Sequence, residues 1–372
     1  MPTTPAGSPI SIVPIRPAGR PAFRALPPLS LYIHVPWCVR KCPYCDFNSH
    51  AIRDGVPEQQ YVEALVADLD SVLPSVWGRR VHTIFFGGGT PSVFSPESID
   101  TILGAVRARL NVSPDAEITL EANPGTVDGG RYAGFRAAGV NRLSIGIQSF
   151  DARHLEKLGR IHDGADAHRA VELALACFDN VNLDLMYALP GQNVDDCMAD
   201  LNTALSYSPA HLSFYHLTIE PNTYFHRFPP VLPDDDVSAE MEDRVHEQLA
   251  SAGYDHYEVS AYSRDAARRC RHNVNYWEFG DYIGIGAGAH AKLSFPDRIV
   301  REARYRQPGQ YMDAALQGHP AQTSGEIDAG DLVGEFMMNA LRLTHGFATT
   351  LFEERTGLPF TCLLYTSDAA DD

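Results

Sequence analysis

From residue 29 onward the chain alternates between two kinds of segment. Short runs of β-branched and aromatic residues occur at 30–35 (SLYIHV), 81–86 (VHTIFF), 117–122 (EITLEA), 142–147 (RLSIGI), 181–187 (VNLDLMY) and 211–217 (HLSFYHL). Longer amphipathic stretches lie between them, near 57–75, 95–109, 129–138, 163–178 and 193–206. The first kind predicts strands and the second helices. Ser95-Pro96-Glu97 reads as a helix N-cap followed by proline at the first helical position. Strands separated by helices are repeated βαβ units, and these build a parallel sheet of an α/β protein. An open doubly wound sheet and a partial barrel both satisfy the pattern. In either, ligands sit at the C-terminal ends of the strands. The chemically suggestive residues fall at those ends: three cysteines after the first strand, Gly87–Thr90 after the second, Asn123-Pro124 after the third.

Beyond residue 225 the pattern changes. FPPVLPDDD (228–236) reads as a linker, a helix is predicted over 235–252, and a region rich in aromatics and glycine runs to 293. Residues 331–343 (DLVGEFMMNALRL) predict an amphipathic helix in a small, mostly helical C-terminal unit over 294–361. Residues 1–28 are Pro-rich, carry Arg16, Arg20 and Arg24 and no acid, and read as a disordered lead-in. The ending CLLYTSDAADD (362–372) resembles translated sequencing adapter, so the C-terminal unit is read as truncated and Cys362 as foreign.

Composition narrows the partners. Against 47 acidic residues stand 30 basic ones, a formal net charge of −17. The whole chain therefore has no electrostatic reason to seek nucleic acid or anionic lipid. No apolar run reaches the roughly 18 residues of a membrane span. The seven cysteines are odd in number and unevenly spread, which is no secreted disulfide framework. A reducing, cytoplasmic setting and a metal site are expected instead.

Three of those cysteines, Cys38, Cys42 and Cys45, fall in the C-x3-C-x2-C segment Tyr32-Ile-His-Val-Pro-Trp-Cys38-Val-Arg-Lys-Cys42-Pro-Tyr-Cys45-Asp-Phe. Three thiolates on one loop suit three corners of a [4Fe–4S] cube. The fourth iron then stays open to a small chelating ligand, and S-adenosylmethionine offers an amino and a carboxylate group. A zinc site completed by His34 or His50 is the alternative.

The cysteine segment resembles the radical-SAM superfamily, and CVRKCPYCDFNSH resembles the HemW-type heme chaperones, relatives of oxygen-independent coproporphyrinogen III dehydrogenase. The resemblance runs over about residues 29–360. It implies a partial (β/α)6 TIM-type barrel over 29–293 and S-adenosylmethionine as cofactor. Gly87-Gly88-Gly89-Thr90-Pro91 then matches the motif that contacts the amino group of that cofactor, and a bare tight turn is the alternative. In the related dehydrogenase, positions matching Tyr32, Tyr44, Gly88 and Glu121 contact a first S-adenosylmethionine. Positions matching Gln148, Arg160 and Asp184 contact a second. An ordinary ion pair or cap is the alternative for Arg160 and Asp184.

Arg271-His272-Asn273-Val274-Asn275-Tyr276-Trp277 matches the HNxxYW motif of the HemW-type group. Imidazole is a common heme ligand, which makes His272 the first candidate for the iron; His290 and Cys270 rank below it. A core role for the same residues is equally open. Two functions remain: a chaperone that binds heme and delivers it to an acceptor protein, and a radical enzyme that decarboxylates coproporphyrinogen III. Phe47 stands where the dehydrogenase pattern has a further cysteine, which favours the chaperone. A reductant protein such as a flavodoxin or ferredoxin is a further expected partner. The acidic balance speaks against an RNA-modifying reading.

Overall fold

The computed structural model describes residues 19–126 and 128–362. Six parallel strands stand side by side in chain order: β1 (Leu29–Val35), β2 (Arg80–Gly88), β3 (Asn111–Ala122), β4 (Arg142–Gln148), β5 (Val181–Tyr187) and β6 (His211–His216). The connections carry α1 (Glu58–Val76), α2 (Pro96–Arg109), α3 (Gly129–Ala138), α4 (Ala152–Lys157) with α5 (Gly164–Cys177), and α6 (Val194–Ser206). The short α7 (Tyr224–Arg227) and the longer α8 (Asp235–Ser251) follow β6. Ser95 accepts from the Ser98 amide as the N-cap of α2, and Asp163/Asp166 and Asn193/Asp196 form reciprocal capping boxes on α5 and α6.

The parallel strands alternate. Leu31 and Ile33, Ile84 and Phe86, Ile118 and Leu120, Leu143 and Ile145, Leu183 and Leu185, and Leu212 and Phe214 are buried in one core with helix residues such as Leu65, Ile102, Phe135 and Leu201. The residues between them face the hollow of the curled sheet and bond to one another there. Thr83 donates to Ser30 (2.8 Å), Ser144 to Asp184 (2.9 Å), and Asn182 to Ser144 (2.7 Å). A parallel sheet covered on both faces by helices reads as continuous apolar runs. Here only one face is covered, and the polar alternation marks the lumen.

The barrel does not close. Strands β7 (Asp255–Glu258) and β8 (Ala261–Ser263) extend the sheet antiparallel beyond β6. On the other side β9 (Asp281–Ile285) lies parallel to β1, and β10 (His290–Phe295), β11 (Arg298–Arg304) and β12 (Ala321–Glu326) follow antiparallel. The twelve-stranded sheet therefore ends at β7 and β12, and six of its strands form the partial (β/α)6 barrel. Four more helices complete the chain's order: α9 (Arg271–Trp277), α10 (Pro308–Leu316), α11 (Ala329–Ala340) and α12 (Thr349–Thr356). Phe279, Ile299, Leu332, Phe336 and Phe352 make a second, smaller core.

Strand β10 runs through residue 293, so the segment after it is tied to the barrel by sheet hydrogen bonds. Of the expected lead-in, residues 1–18 lie outside the described residues. Its later part departs from expectation: the Ala22 amide donates to Gly357 (2.9 Å), the Phe23 amide to Pro296 (3.1 Å), and Phe23 packs on the small core. Residues 363–372, most of the adapter-like ending, also lie outside the described residues.

Candidate functional site

Strand β1 ends at Val35, and the loop that follows carries the three cysteines at the C-terminal mouth of the barrel. Each thiol has a polar neighbour. Thr90 donates to Cys38 Sγ (3.4 Å), Arg160 Nη1 donates to Cys42 Sγ (3.5 Å), and Cys45 Sγ lies 3.8 Å from the Ser49 hydroxyl. Burial raises the Cys38 and Cys45 thiols above their usual range. The loop folds on itself through Cys45 N–H to Cys42 O (3.2 Å) and Ile52 N–H to Cys38 O (2.9 Å).

The donor set separates a cluster from a zinc ion. A tetrahedral zinc with ligands at about 2.3 Å needs its donor atoms mutually close. Among the described residues the trio of possible ligands within 4.8 Å of one another is Asp151, His154 and Asp196; the cysteines with His34 or His50 make no such group. His34 is also occupied, since Nε2 donates to the Asn48 carbonyl (2.8 Å) and Nδ1 accepts from the Tyr32 hydroxyl (3.0 Å). Three thiols spread around one loop fit the corners of a cube.

Gly87 and Gly88 end β2 and Gly89 follows it, directly beside this loop. Gly88 has φ +116°, and a Cβ there would stand 2.6 Å from the His34 ring. On Gly89 a Cβ would stand 2.6 Å from the Trp37 carbonyl oxygen. Glycine is required at both by close approach. The Gly88 amide donates to Glu121 Oε2 (3.2 Å), and a Cβ on Gly87 would meet both the Tyr32 ring (3.0 Å) and Glu121 (3.2 Å). Tyr32, Gly88 and Glu121 thus converge. Burial, and then the Asp184 carboxylate, push Glu121 up to about 8.

A second group gathers around Gly146. A Cβ there would lie 2.9 Å from Gln148 Nε2 and 3.4 Å from Arg160 Nη2, and Arg160 Nη2 donates to the Gly146 carbonyl (2.7 Å). Asp184, the register partner of Gly146, accepts from Ser144 (2.9 Å) and Asn182 (2.8 Å), and burial raises its carboxyl. Arg160 reaches Cys42 from this group, so the two sets adjoin. Tyr44 packs on Phe225 of α7, whose amide donates to Pro43 (3.0 Å).

The HNxxYW segment lies elsewhere, and of the two readings left open for it the core role is the one its surroundings favour. It forms α9, packed at the opposite end of the lumen, where the strands begin. His272 is 1% exposed. Thr83 gives its proton to Ser30, so it accepts from His272 Nδ1 (2.8 Å), and Nε2 then accepts from the Tyr276 hydroxyl (3.1 Å). Burial lowers the imidazole to about 3. With both ring nitrogens taken and no exposed edge, His272 is a core residue and does not fit a heme iron. Asn275 donates to Ser30 (2.9 Å) and to the Asp281 carbonyl (2.9 Å). Cys270 is buried, its thiol raised to about 12 chiefly by burial, and it too is closed to a ligand. Asn48 went unnoticed in the sequence. Its side chain bonds Ala287 O (2.8 Å) and Arg306 O (2.9 Å), across more than 230 residues, and nothing local signals that.

The barrel and its three-thiol loop define a radical-SAM protein, and residues 32–204 match the model of the radical SAM superfamily. The chain is 51% identical over 335 residues to the heme chaperone HemW of Escherichia coli, covering 90% of this chain and 87% of that protein. It is 48% identical over 339 residues to the heme chaperone HemW of Haemophilus influenzae, with 90% and 87% covered. Mouse radical S-adenosyl methionine domain-containing protein 1, mitochondrial, is 39% identical over 330 residues, with 85% and 74% covered. The solved structure of coproporphyrinogen III oxidase (HemN) from Escherichia coli, a radical SAM enzyme, superposes with a TM-score of 0.78 over 93% of this chain and 82% of that one. At 23% identity that likeness shows the fold alone. The chain belongs to the HemW family of the radical-SAM superfamily. Membership implies a [4Fe–4S] cluster and S-adenosylmethionine.

Proposed function

We propose that this chain is a heme chaperone: it binds heme beside a [4Fe–4S] cluster with S-adenosylmethionine and passes the heme to an acceptor protein. The observation that carries this reading is the 51% identity to a heme chaperone over nine-tenths of the chain. The oxidase likeness reaches only the fold, so decarboxylation of coproporphyrinogen III is the less favoured reading.

Cys38, Cys42 and Cys45 would hold the cluster. The Gly88–Thr90 turn, Tyr32, Tyr44 and Glu121 would hold one S-adenosylmethionine, and Gln148, Arg160 and Asp184 would form the pocket that a second occupies in the related dehydrogenase. When bound and reduced, the cluster supplies an electron able to split a carbon–sulfur bond of the sulfonium. The chain's own residues bind and orient. Gly89 leaves room against the Trp37 backbone. Glu121, largely protonated near neutral pH in the free protein, has a proton to donate to a ribose or carboxylate oxygen. Arg160 places a cation against Cys42 and offsets the charge of a thiolate there. No helix among the described residues is long and apolar enough to cross a membrane. A cytoplasmic setting, with a flavodoxin or ferredoxin as reductant, belongs to the same proposal.

The test is anaerobic reconstitution of the full chain followed by two parallel assays. Hemin titration with transfer to an apo-acceptor is expected to succeed. Coproporphyrinogen-dependent formation of 5′-deoxyadenosine, without heme transfer, would overturn the reading in favour of the enzyme.

A further inference from the structure

With His272 closed, the barrel mouth offers another imidazole. His290 opens β10 after the turn Gly286–Ala289, at the same end of the barrel as the cysteine loop. It is exposed, and its ring has no hydrogen-bond partner among the described residues. The turn that carries it is locked onto the cysteine loop. Gly286 has φ +103°, and a Cβ there would lie 2.4 Å from the His34 carbonyl oxygen. Gly288 has φ +81°, and a Cβ there would lie 2.3 Å from Asn48 Nδ2. Asn48 fastens the two segments through its bond to the Ala287 carbonyl (2.8 Å). The adjacent Phe47 is 62% exposed and presents a bare aromatic face on that loop.

The charge around this rim runs against the chain's balance of −17. The charges acting on His290 are Arg301 and Arg306, and those on His50 are Lys41 and Arg306. Arg301 is paired with Glu335, but the exposed Arg306 side chain has no ion-pair partner among the described residues. A neutral, unpartnered imidazole, a flat apolar face and a free guanidinium on one rim are the three contacts that a metalloporphyrin with carboxylate side arms needs.

Building on the heme-chaperone reading, we propose that His290 is the protein ligand to the heme iron, with Arg306 pairing a propionate and Phe47 lying along the porphyrin face. The docking rim is then the Cys-loop side of the barrel mouth, and the HNxxYW helix serves only the core.

The experiment is hemin titration of the cluster-loaded full chain, read by difference absorbance and by resonance Raman of the iron–imidazole bond. His290→Ala should lose the imidazole signature and weaken binding about tenfold or more, with the cluster absorbance unchanged; added free imidazole should restore the signature. Arg306→Glu should weaken binding several-fold and reduce its salt dependence, leaving the ligand signature in place. Wild-type binding with an unaltered signature in His290→Ala overturns the assignment, as does loss of the signature in His50→Ala instead. Failure of the wild type to bind hemin at all sinks the heme-chaperone reading itself and is distinguishable from both.

Discussion

The two ends of the lumen are built from the same residue types and put to opposite uses. Where the strands begin, polar side chains are turned on one another and on α9: Ser30, Thr83, His272, Asn275 and Tyr276 form one connected chain of hydrogen bonds. Where the strands end, glycines hold the backbone open, Glu121 is half-buried with only the Gly88 amide as hydrogen-bond partner, and three thiols are left unbonded to one another. A buried polar group that is satisfied inside the chain stabilises a unique core, and one left partly satisfied is poised for a guest. A histidine in a motif is therefore informative about ligands only once its ring nitrogens have been accounted for.

The sharpest contrast should come from the thiols. Changing Cys38, Cys42 or Cys45 to Ala is expected to abolish the cluster's visible absorbance after anaerobic reconstitution, while the urea midpoint of the apo-protein stays close to wild type. At the other end the effects reverse. Asn275→Ala strips partners from Ser30 and the Asp281 carbonyl and should cost about 2–4 kcal/mol of stability in urea unfolding, with cluster loading per folded molecule preserved. If that variant instead loaded poorly while staying fully stable, the division between the two ends would fail.

Gly88→Ala tests the mouth from its backbone. The positive φ and the contact with His34 predict a loss of about 1–3 kcal/mol together with weaker S-adenosylmethionine binding by calorimetry. Glu121 gives a pH signature. Its carboxyl is raised from 4.5 to about 8 on folding, so the native state holds that proton more tightly than the unfolded chain. Its contribution is fully present below pH 4.5 and is lost as pH rises toward 8. Glu121→Gln should flatten this part of the stability profile and leave the variant more stable than wild type above the window, as urea curves on either side would show. The smallest change expected is Thr83→Val, about 1 kcal/mol, because Asn275 still serves Ser30 and Tyr276 still serves His272.

Much of the architecture was legible in the chain. The six β-runs and six of the helices fall within a residue or two of their expected bounds, apart from the early start of β3 at Asn111, because each element carries its own periodicity and caps such as Ser95 and Asp163. The cysteine loop was legible for the same reason: its three donors lie within eight residues. The lumen was written in the alternation of ITLE and LSIG, and was passed over because that pattern also describes a half-exposed strand. The depth of His272 was not legible because motif spacing carries none. Asn48 and the turn before His290 are joined only when β9 lies down beside β1.

Local chemistry was thus determined by the sequence itself: which segments are strands and helices, and where three thiolates crowd together. Tertiary structure alone decided which imidazole is sealed and which stands free. That depends on non-local pairings such as Thr83 with His272 and Asn48 with Ala287, and these exist only once distant strands share a sheet.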